Sequence, residues 1–418
     1  MAALKYWVWL SSLRLLGAAG AFAAAERFGT PENLFFADEE ALRAAPELSE
    51  PQRAEILRRD LDPAERILEQ CSLAGLRVLT WQDADYPERL KNIYAPPCTL
   101  YLKGRLPVFD EEAALTVVGS RRATPYGVQA AERLSYALAR AGMLIVSGLA
   151  RGVDAAAHRA ALRAGAPTVA VMGCGADMPY PAENKALYED IAAAGTVMSE
   201  YPPGTPPLAA HFPARNRILS GLSLGVLVVE APARSGALIT AVHATEQGRD
   251  VFAVPGNIDA PESLGCNRLI REGAQLVTGP GDILEEYAAL YPHRIRPHRA
   301  APPPDIPDSA HIPGATGTAG TANTANTEAP AETAPAGRAR RARPAPQVTD
   351  LGPLLTDLDE DARAVLLAVA GAPRHVDEIV EVTGLPAARV LRALTVLELR
   401  GRADPLPGKR FRLAGEQE

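Results

Sequence analysis

Several familiar signatures are missing from this 418-residue chain, and each absence removes a class of function. Its four cysteines, Cys71, Cys98, Cys174 and Cys266, are widely scattered, with no Cys-x-x-Cys pair and no nearby His/Cys cluster. That spacing argues against structural zinc and against a disulfide framework, and it reads as reduced thiols in a cytosolic protein. No Gly-x-x-x-x-Gly-Lys-Ser/Thr run occurs, so a Walker phosphate loop is excluded. Nor is there a Gly-x-Gly-x-x-Gly turn with an acidic ribose partner, so no dinucleotide cofactor is expected, and no metal. The balance of charge is not basic: the net value is −7. A whole-chain average of that sign does not advertise nucleic acid, although a local basic cleft can coexist with an acidic exterior. Aromatic residues are scarce at 5%, beside an ordinary hydrophobic content of 47%. No apolar run is long enough for a bilayer: residues 6–16 are mostly apolar but short, and Arg14 interrupts them. Ala21-Phe22-Ala23-Ala24-Ala25 resembles a signal-cleavage tail. The apolar pattern nevertheless continues through Phe28 and Leu34-Phe35-Phe36, as in a packed cytosolic domain.

What is present calls for two or three domains, since one core does not grow to this length. Residues 1–68 read as a small helical domain of the sterile-alpha-motif or helix-hairpin-helix kind, with helices expected at 4–10, 12–27, 31–36, 38–45 and 49–68. Gly29-Thr30-Pro31-Glu32 is a helix stop, a cap and a proline-initiated restart. Residues 69–293 alternate strand and helix. Two strands, 76–80 and 99–103, lead into strands at 115–119, 144–147, 168–172, 196–199, 225–230, 250–254 and 275–277. Helices are expected at 124–141, 151–164, 184–194, 213–222, 236–247, 262–273 and 280–290. Thr168-Val169-Ala170-Val171-Met172 and Val226-Leu227-Val228-Val229 are apolar throughout, as strands buried on both faces are. The expectation is an α/β fold with a Rossmann-like, doubly wound parallel sheet.

Residues 294–350 turn to Pro, Ala, Thr and Gly and read as a flexible linker with a basic knot at Arg338, Arg340, Arg341 and Arg343. Residues 351–418 follow the winged-helix plan: helices at 359–370, 375–383 and 386–400, then a hairpin over 402–413. Arg389 and Arg392 on the third helix and Lys409 and Arg410 on the wing are candidate DNA contacts, with protein contact an equal alternative.

Almost every strand of the central domain ends in a Gly-rich or basic turn. These turns are Gly119-Ser120-Arg121-Arg122, Ser147-Gly148-Leu149-Ala150-Arg151-Gly152, Gly173-Cys174-Gly175, Phe212-Pro213-Ala214-Arg215-Asn216-Arg217 and Ser235-Gly236-Ala237. Ligands of open α/β sheets bind outside the carboxyl ends of the strands, so all five converge on one rim. Backbone N–H groups at such turns, joined by arginines, suit phosphate oxygens. Phe212 beside Arg215 and Arg217 adds a stacking face, a pairing that suits single-stranded nucleic acid. The structural alternative buries Phe212 and pairs Arg215 or Arg217 with Glu200 or Glu230. Asp154 and His158 lie one helical turn apart and could bond one another. With no nucleophile or metal partner beside them, they read as a pair that orients the glycine loop rather than a catalytic dyad. Cys174, between two glycines, reads as a small residue fitting a tight turn, with a reactive thiol the alternative.

These segments together resemble the DNA-processing protein A family (DprA, also called Smf). The resemblance rests on Val118-Gly119-Ser120-Arg121; on Ser147 to Asp154 with His158; on Gly173-Cys174-Gly175 with Tyr180-Pro181 and Asn184; and on Ser199-Glu200-Tyr201-Pro202. It continues through Phe212 to Ile218, Glu230-Ala231, Ser235 to Thr240, Val254-Pro255-Gly256-Asn257, Gly265-Cys266-Asn267 and Ile270 to Ala274. The resemblance implies a non-catalytic protein that binds single-stranded DNA and loads RecA on it during natural transformation, displacing or bypassing single-strand-binding protein. By position it makes Arg121 and Phe212 DNA contacts, with the Gly119 turn and the Ser147-Gly148 loop supporting phosphates. A lysine common in relatives is replaced by Ala209 or Ala210 here. It also implies a homodimer and a RecA surface around Leu269, Ile270 and Leu276. Two other readings stay open. One is a Rossmann-like nucleotide hydrolase, whose double glycine and helix glutamate are missing from residues 232–240. The other is a transcriptional regulator acting through the winged helix.

Overall fold

The computed structural model describes residues 2–301, 358–370, 373–400, 402–406 and 410–414. The chain divides into two compact units, Met1–Pro313 and Gly314–Glu418.

The first unit opens with six helices: α1 (Ala2–Ser12), α2 (Gly17–Phe28), α3 (Pro31–Phe36), α4 (Glu39–Arg43), α5 (Glu50–Leu57) and α6 (Asp62–Ala74). Thr30 caps α3, its Oγ1 accepting from the Asn33 N–H at 3.1 Å, and Pro31 occupies the first turn, where no N–H is needed. The apolar run of α1 is the centre of this layer. Trp7, Val8, Trp9 and Leu10 are buried against Leu34, Phe35, Leu42 and Ile56. The helix expected over 49–68 is two helices. Arg59 adopts a positive φ of 49°, and Pro63 starts α6, having no N–H to continue α5. Because α6 runs to Ala74, it crosses the expected domain boundary at residue 68.

Among the described residues the sheet holds nine strands: β1 (Arg77–Thr80), β2 (Thr99–Gly104), β3 (Ala114–Val118), β4 (Leu144–Ser147), β5 (Thr168–Met172), β6 (Thr196–Ser199), β7 (Gly225–Val228), β8 (Asp250–Ala253) and β9 (Gln275–Leu276). Their order is β1-β2-β6-β5-β4-β3-β7-β8-β9. All pairs from β6 to β9 are parallel, while β1 and β2 form an antiparallel hairpin added to the β6 edge. One face is covered by α7 (Glu88–Lys91), α11 (His211–Leu222), α12 (Gly236–Glu246) and α13 (Leu264–Arg271), the other by α8 (Pro125–Arg140), α9 (Val153–Arg163), α10 (Lys185–Ala194) and α14 (Gly281–Ala288). Leu115 and Val117 of β3 face one layer while Ala114 and Val118 face the other, as a doubly covered strand requires. From β3 the sheet grows one way through β4, β5 and β6, and the other way through β7, β8 and β9. The β3/β7 junction is therefore a topological switch point, the place where such sheets open a crevice. Ile295 is buried in the second core, so the domain continues past the expected linker start at 294.

The second unit contains α15 (Glu360–Val369), α16 (Val376–Thr383) and α17 (Ala387–Leu399), with β10 (Arg374–His375), β11 (Ala403–Leu406) and β12 (Arg410–Leu413). Asp359 caps α15 by accepting the Ala362 N–H at 2.8 Å. Strand order β10-β12-β11 completes a winged helix, with β10 added to the expected hairpin. The basic knot at 338–343 and Lys409 lie outside the described residues. No helix among the described residues is long and apolar enough to cross a membrane.

Candidate nucleic-acid interface

A groove of about 740 Å³ opens at the switch point, between the end of β3, the start of α11 and the start of α12. Of the expected residues, Gly119, Ser120, Arg121, Arg122, Phe212, Arg215, Asn216, Ser235 and Gly236 line it. Gly148 and Arg151 line a 40 Å³ recess beside it, which shares Arg121 and Phe212 with the groove.

The turn after β3 is folded on itself. The Ser120 N–H donates to the Glu230 carbonyl at 2.7 Å, and Ser120 Oγ accepts from the Arg122 N–H at 3.1 Å. The backbone is thereby committed, and Arg121 and Arg122 project outward, exposed. The N-terminus of α8 is occupied as well: the Glu230 carboxylate accepts from the Thr124 N–H at 3.0 Å and from its hydroxyl. Glu230 therefore has its partner without either arginine of α11.

The glycine loop after β4 is closed to phosphate by one of the chain's own carboxylates. Asp154 Oδ2 accepts from the Gly148 and Ala150 N–H groups at 3.2 and 3.3 Å, which are the donors expected for a ligand. Ser147 is buried, its hydroxyl donating to the Val117 carbonyl at 2.6 Å. Arg215 penetrates behind the loop, donating to the Gly148 carbonyl at 3.2 Å and to that of Val171. A Cβ at Gly148 would stand 2.5 Å from the guanidinium, so a side chain there would displace Arg215. Burial lowers Arg215 to about 10 and raises Asp154, the opposite charge of each partner working against both shifts.

Asp154 and His158 do not bond one another, although their spacing allows it. Asp154 turns to the loop, while His158 Nδ1 meets Thr168 Oγ1 at 2.8 Å. Because that hydroxyl donates to the Ile145 carbonyl at 2.7 Å, it accepts from His158, which is neutral with its proton on Nδ1. Nε2 is buried with no partner among the described residues, and burial, reinforced by Arg215, lowers the imidazole to about 3. Cys174 is buried too, and its thiol is pushed up to about 11 by burial, the reverse of a reactive cysteine.

On α11 the two arginines diverge, and neither is an exposed fork. Arg217 is buried in an ion pair with Glu200 at 2.6 Å and donates to the Ala95 carbonyl at 3.0 Å, away from the groove. Asn216 Nδ2 donates to the Gly236 carbonyl at 3.2 Å, tying α11 to α12. Phe212 is only partly buried and rests on Gly173, where a Cβ would lie 2.9 Å from its ring. The Arg121 guanidinium stands 5.2 Å above the Phe212 ring centre, a cation–π contact at the mouth of the groove. His211 stacks on Tyr201 at 3.9 Å.

Among the lining residues outside the expected set are an aromatic ring and a cation. Tyr180, 5.7 Å from the Phe212 ring, lines both groove and recess. Arg234, exposed, precedes Ser235 on the α12 side. Its signal in the sequence is its place beside Ser235-Gly236-Ala237. It supplies a cation to the groove in which Ala209 has none. Unlike that of α9, which holds Asp154, the first turn of α12 carries no acidic residue. Ser235 Oγ accepts from the Ala237 N–H at 3.3 Å.

Elsewhere, Leu269 and Ile270 are partly buried against the core, whereas Leu276 is exposed on edge strand β9, near the end of the sheet. In the winged helix Arg389 is held by both oxygens of Asp361 at 2.8 and 2.5 Å, Arg410 donates to the Pro373 carbonyl at 2.9 Å, and Arg392 is exposed.

The sequence profile of DNA recombination-mediator protein A matches residues 77–288, and that of the DprA winged helix domain matches residues 344–409. The Smf protein of Synechocystis is 34% identical over 97% of this chain and 98% of its own length. The DNA processing protein DprA of Streptococcus pneumoniae is 49% identical over 49% of this chain and 72% of its own. The crystal structure of DprA from Streptococcus pneumoniae superimposes with a TM-score of 0.60 at 37% identity, covering 68% of this chain and 97% of that one. With a profile over half the chain and a relative aligned along nearly its full length, the protein belongs to the DNA recombination-mediator protein A (DprA/Smf) family.

Proposed function

We propose that the groove holds single-stranded DNA and that the protein is a recombination mediator, protecting incoming single strands and loading RecA on them in natural transformation and in repair. The observation that carries this reading is the Arg121 guanidinium over the Phe212 ring, at the mouth of a groove whose other side brings Arg234. A base stacks on an aromatic face while cations neutralise the adjoining phosphates, which is how single strands are held without sequence preference. Membership of the family supports the recombination role. The site binds and does not transform its ligand. Its buried carboxylate and imidazole are committed inside the fold, and neither cofactor nor metal enters the reading.

RecA and single-strand-binding protein are the partners this role implies, in the cytoplasm. A second copy of the chain is the third partner. Ile258, Leu264 and Leu276 are 80, 44 and 45% exposed near edge strand β9, and Val242 on α12 is exposed as well. Exposed apolar side chains beside an unpaired strand edge favour self-association. Leu276→Glu is expected to shift the protein toward monomer in sedimentation equilibrium.

The decisive experiment is a salt titration of oligo-dT binding by Arg121→Ala and by the Arg121→Ala/Phe212→Ala pair. The double variant is expected to bind on the order of a hundredfold more weakly, and loss of one phosphate contact is expected to flatten the salt slope by about 0.7. Wild-type affinity in the double variant, with its fold intact, would overturn the assignment. RecA filament assembly on single strands precoated by single-strand-binding protein tests the loading role.

A further inference from the structure

We propose that Tyr180 is a second base-stacking residue and that the strand crosses a ridge built from Tyr180, Phe212 and Arg121. This rests on the groove being a single-strand site. Three observations carry it. Tyr180 is 39% exposed, beyond the turn that ends β5, and its ring centre lies 5.7 Å from that of Phe212 at an interplanar angle of 39°. The two rings and the Arg121 guanidinium, 5.2 Å from Phe212, thus form one continuous π-cation surface rather than a lone phenylalanine. These same three side chains line both the large groove and the 40 Å³ recess, so they stand between the two as a wall with two sides.

The chemistry differs on the two sides. Toward the groove lie Arg122 and Arg234, with space for nucleotides. The recess has room for little more than a water molecule or a phosphate oxygen. Its rim carries Arg151, whose ion pair with Glu183 is exposed on both partners and hence weak. Arg151 can therefore exchange Glu183 for a phosphate as the backbone leaves the ridge. A strand laid over the wall has aromatic faces for successive bases and a cation for the backbone on either side. A merely structural tyrosine would explain packing against Phe212 but not its exposure toward both cavities.

The test pairs Tyr180→Ala and Tyr180→Phe with oligo-dT and with an abasic oligonucleotide of the same length and phosphate number. Tyr180→Ala is expected to weaken oligo-dT binding about tenfold and to leave abasic binding and the salt slope as in wild type. Tyr180→Phe keeps the ring and is expected to bind both as wild type does. Equal losses on both oligonucleotides, or no loss on oligo-dT, would overturn the proposal. Should Tyr180→Ala lower the melting temperature, Tyr180→Leu, which keeps apolar volume without a π face, carries the same comparison. The Arg121→Ala/Phe212→Ala pair separates the two levels. If that variant loses oligo-dT while Tyr180→Ala does not, only the ridge fails. If neither loses it, the groove assignment itself fails.

Discussion

The strand-end rim has two halves built from the same residue types and put to opposite uses. Around β4, α9 and α11, carboxylate and arginine are spent inside the fold: Asp154 accepts from the loop N–H groups, Arg215 donates to the Gly148 and Val171 carbonyls behind it, and Arg217 is locked to Glu200. Between β3 and α12, Arg121, Arg122 and Arg234 stand exposed around Phe212 and Tyr180, and α12 begins without an acidic residue. An arginine at the end of a strand is therefore not yet a phosphate ligand. What separates the halves is whether an internal carboxylate is buried with it, since a buried charge must be paired inside the fold and then has nothing to offer a ligand.

That contrast is open to disruption, most strongly in the closed half. Arg215→Met removes the cation beside buried Asp154 and is expected to lower unfolding free energy by about 3–5 kcal/mol in denaturant titration. A loss near zero would mean that the closed half is not a paired core. In the open half, the Arg121→Ala/Phe212→Ala pair is expected to move oligo-dT binding and leave the unfolding midpoint in place, the inverse of Arg215→Met.

His158 sharpens the boundary through pH. Its folded value of about 3 lies below the unfolded 6.5, so the unfolded chain binds the extra proton between those values. Stability contributed by the neutral imidazole is complete above about pH 6.5 and lost as pH falls, roughly 2 kcal/mol by pH 5. His158→Gln should remove that part of the slope in melting curves taken from pH 7 to 5, and an identical slope would show that His158 does not set it. Arg234→Ala is a smaller test of the open half. A several-fold weaker oligo-dT affinity and a slope reduced by about 0.7 are expected for a lost phosphate contact. Smallest of all is deletion of residues 351–418. If the groove of the first unit carries the strand, single-strand affinity should stay within about twofold, whereas a regulator acting through the winged helix would lose it.

Much of the architecture was legible in the chain. Strands buried on both faces read as largely apolar runs, and β3 to β7 fall close to the expected ranges for that reason. The helix expected over 49–68 breaks in two, because Pro63 has no N–H to continue α5 and starts α6 instead. The site was less legible. Arg215 and Arg217 sit two positions apart on α11, so they leave the helix on nearly opposite sides, and their partners come from distant segments at Asp154, Gly148, Val171 and Glu200. Tyr180 sits more than thirty residues before Phe212, and nothing local joins the two rings.

Residue order alone specifies the alternation of strand and helix, the glycine and arginine turns gathered on one rim, the winged-helix plan and the absence of a Walker loop. Those are properties of local spacing and of side-chain type, which act over a few residues. Long-range packing sets which turns are closed by Asp154 and Glu230, which arginines are buried, and that Arg121, Phe212 and Tyr180 meet. Burial and pairing depend on what the fold brings from far along the chain, and a charge or an aromatic face is offered to a ligand only where the fold leaves it unused.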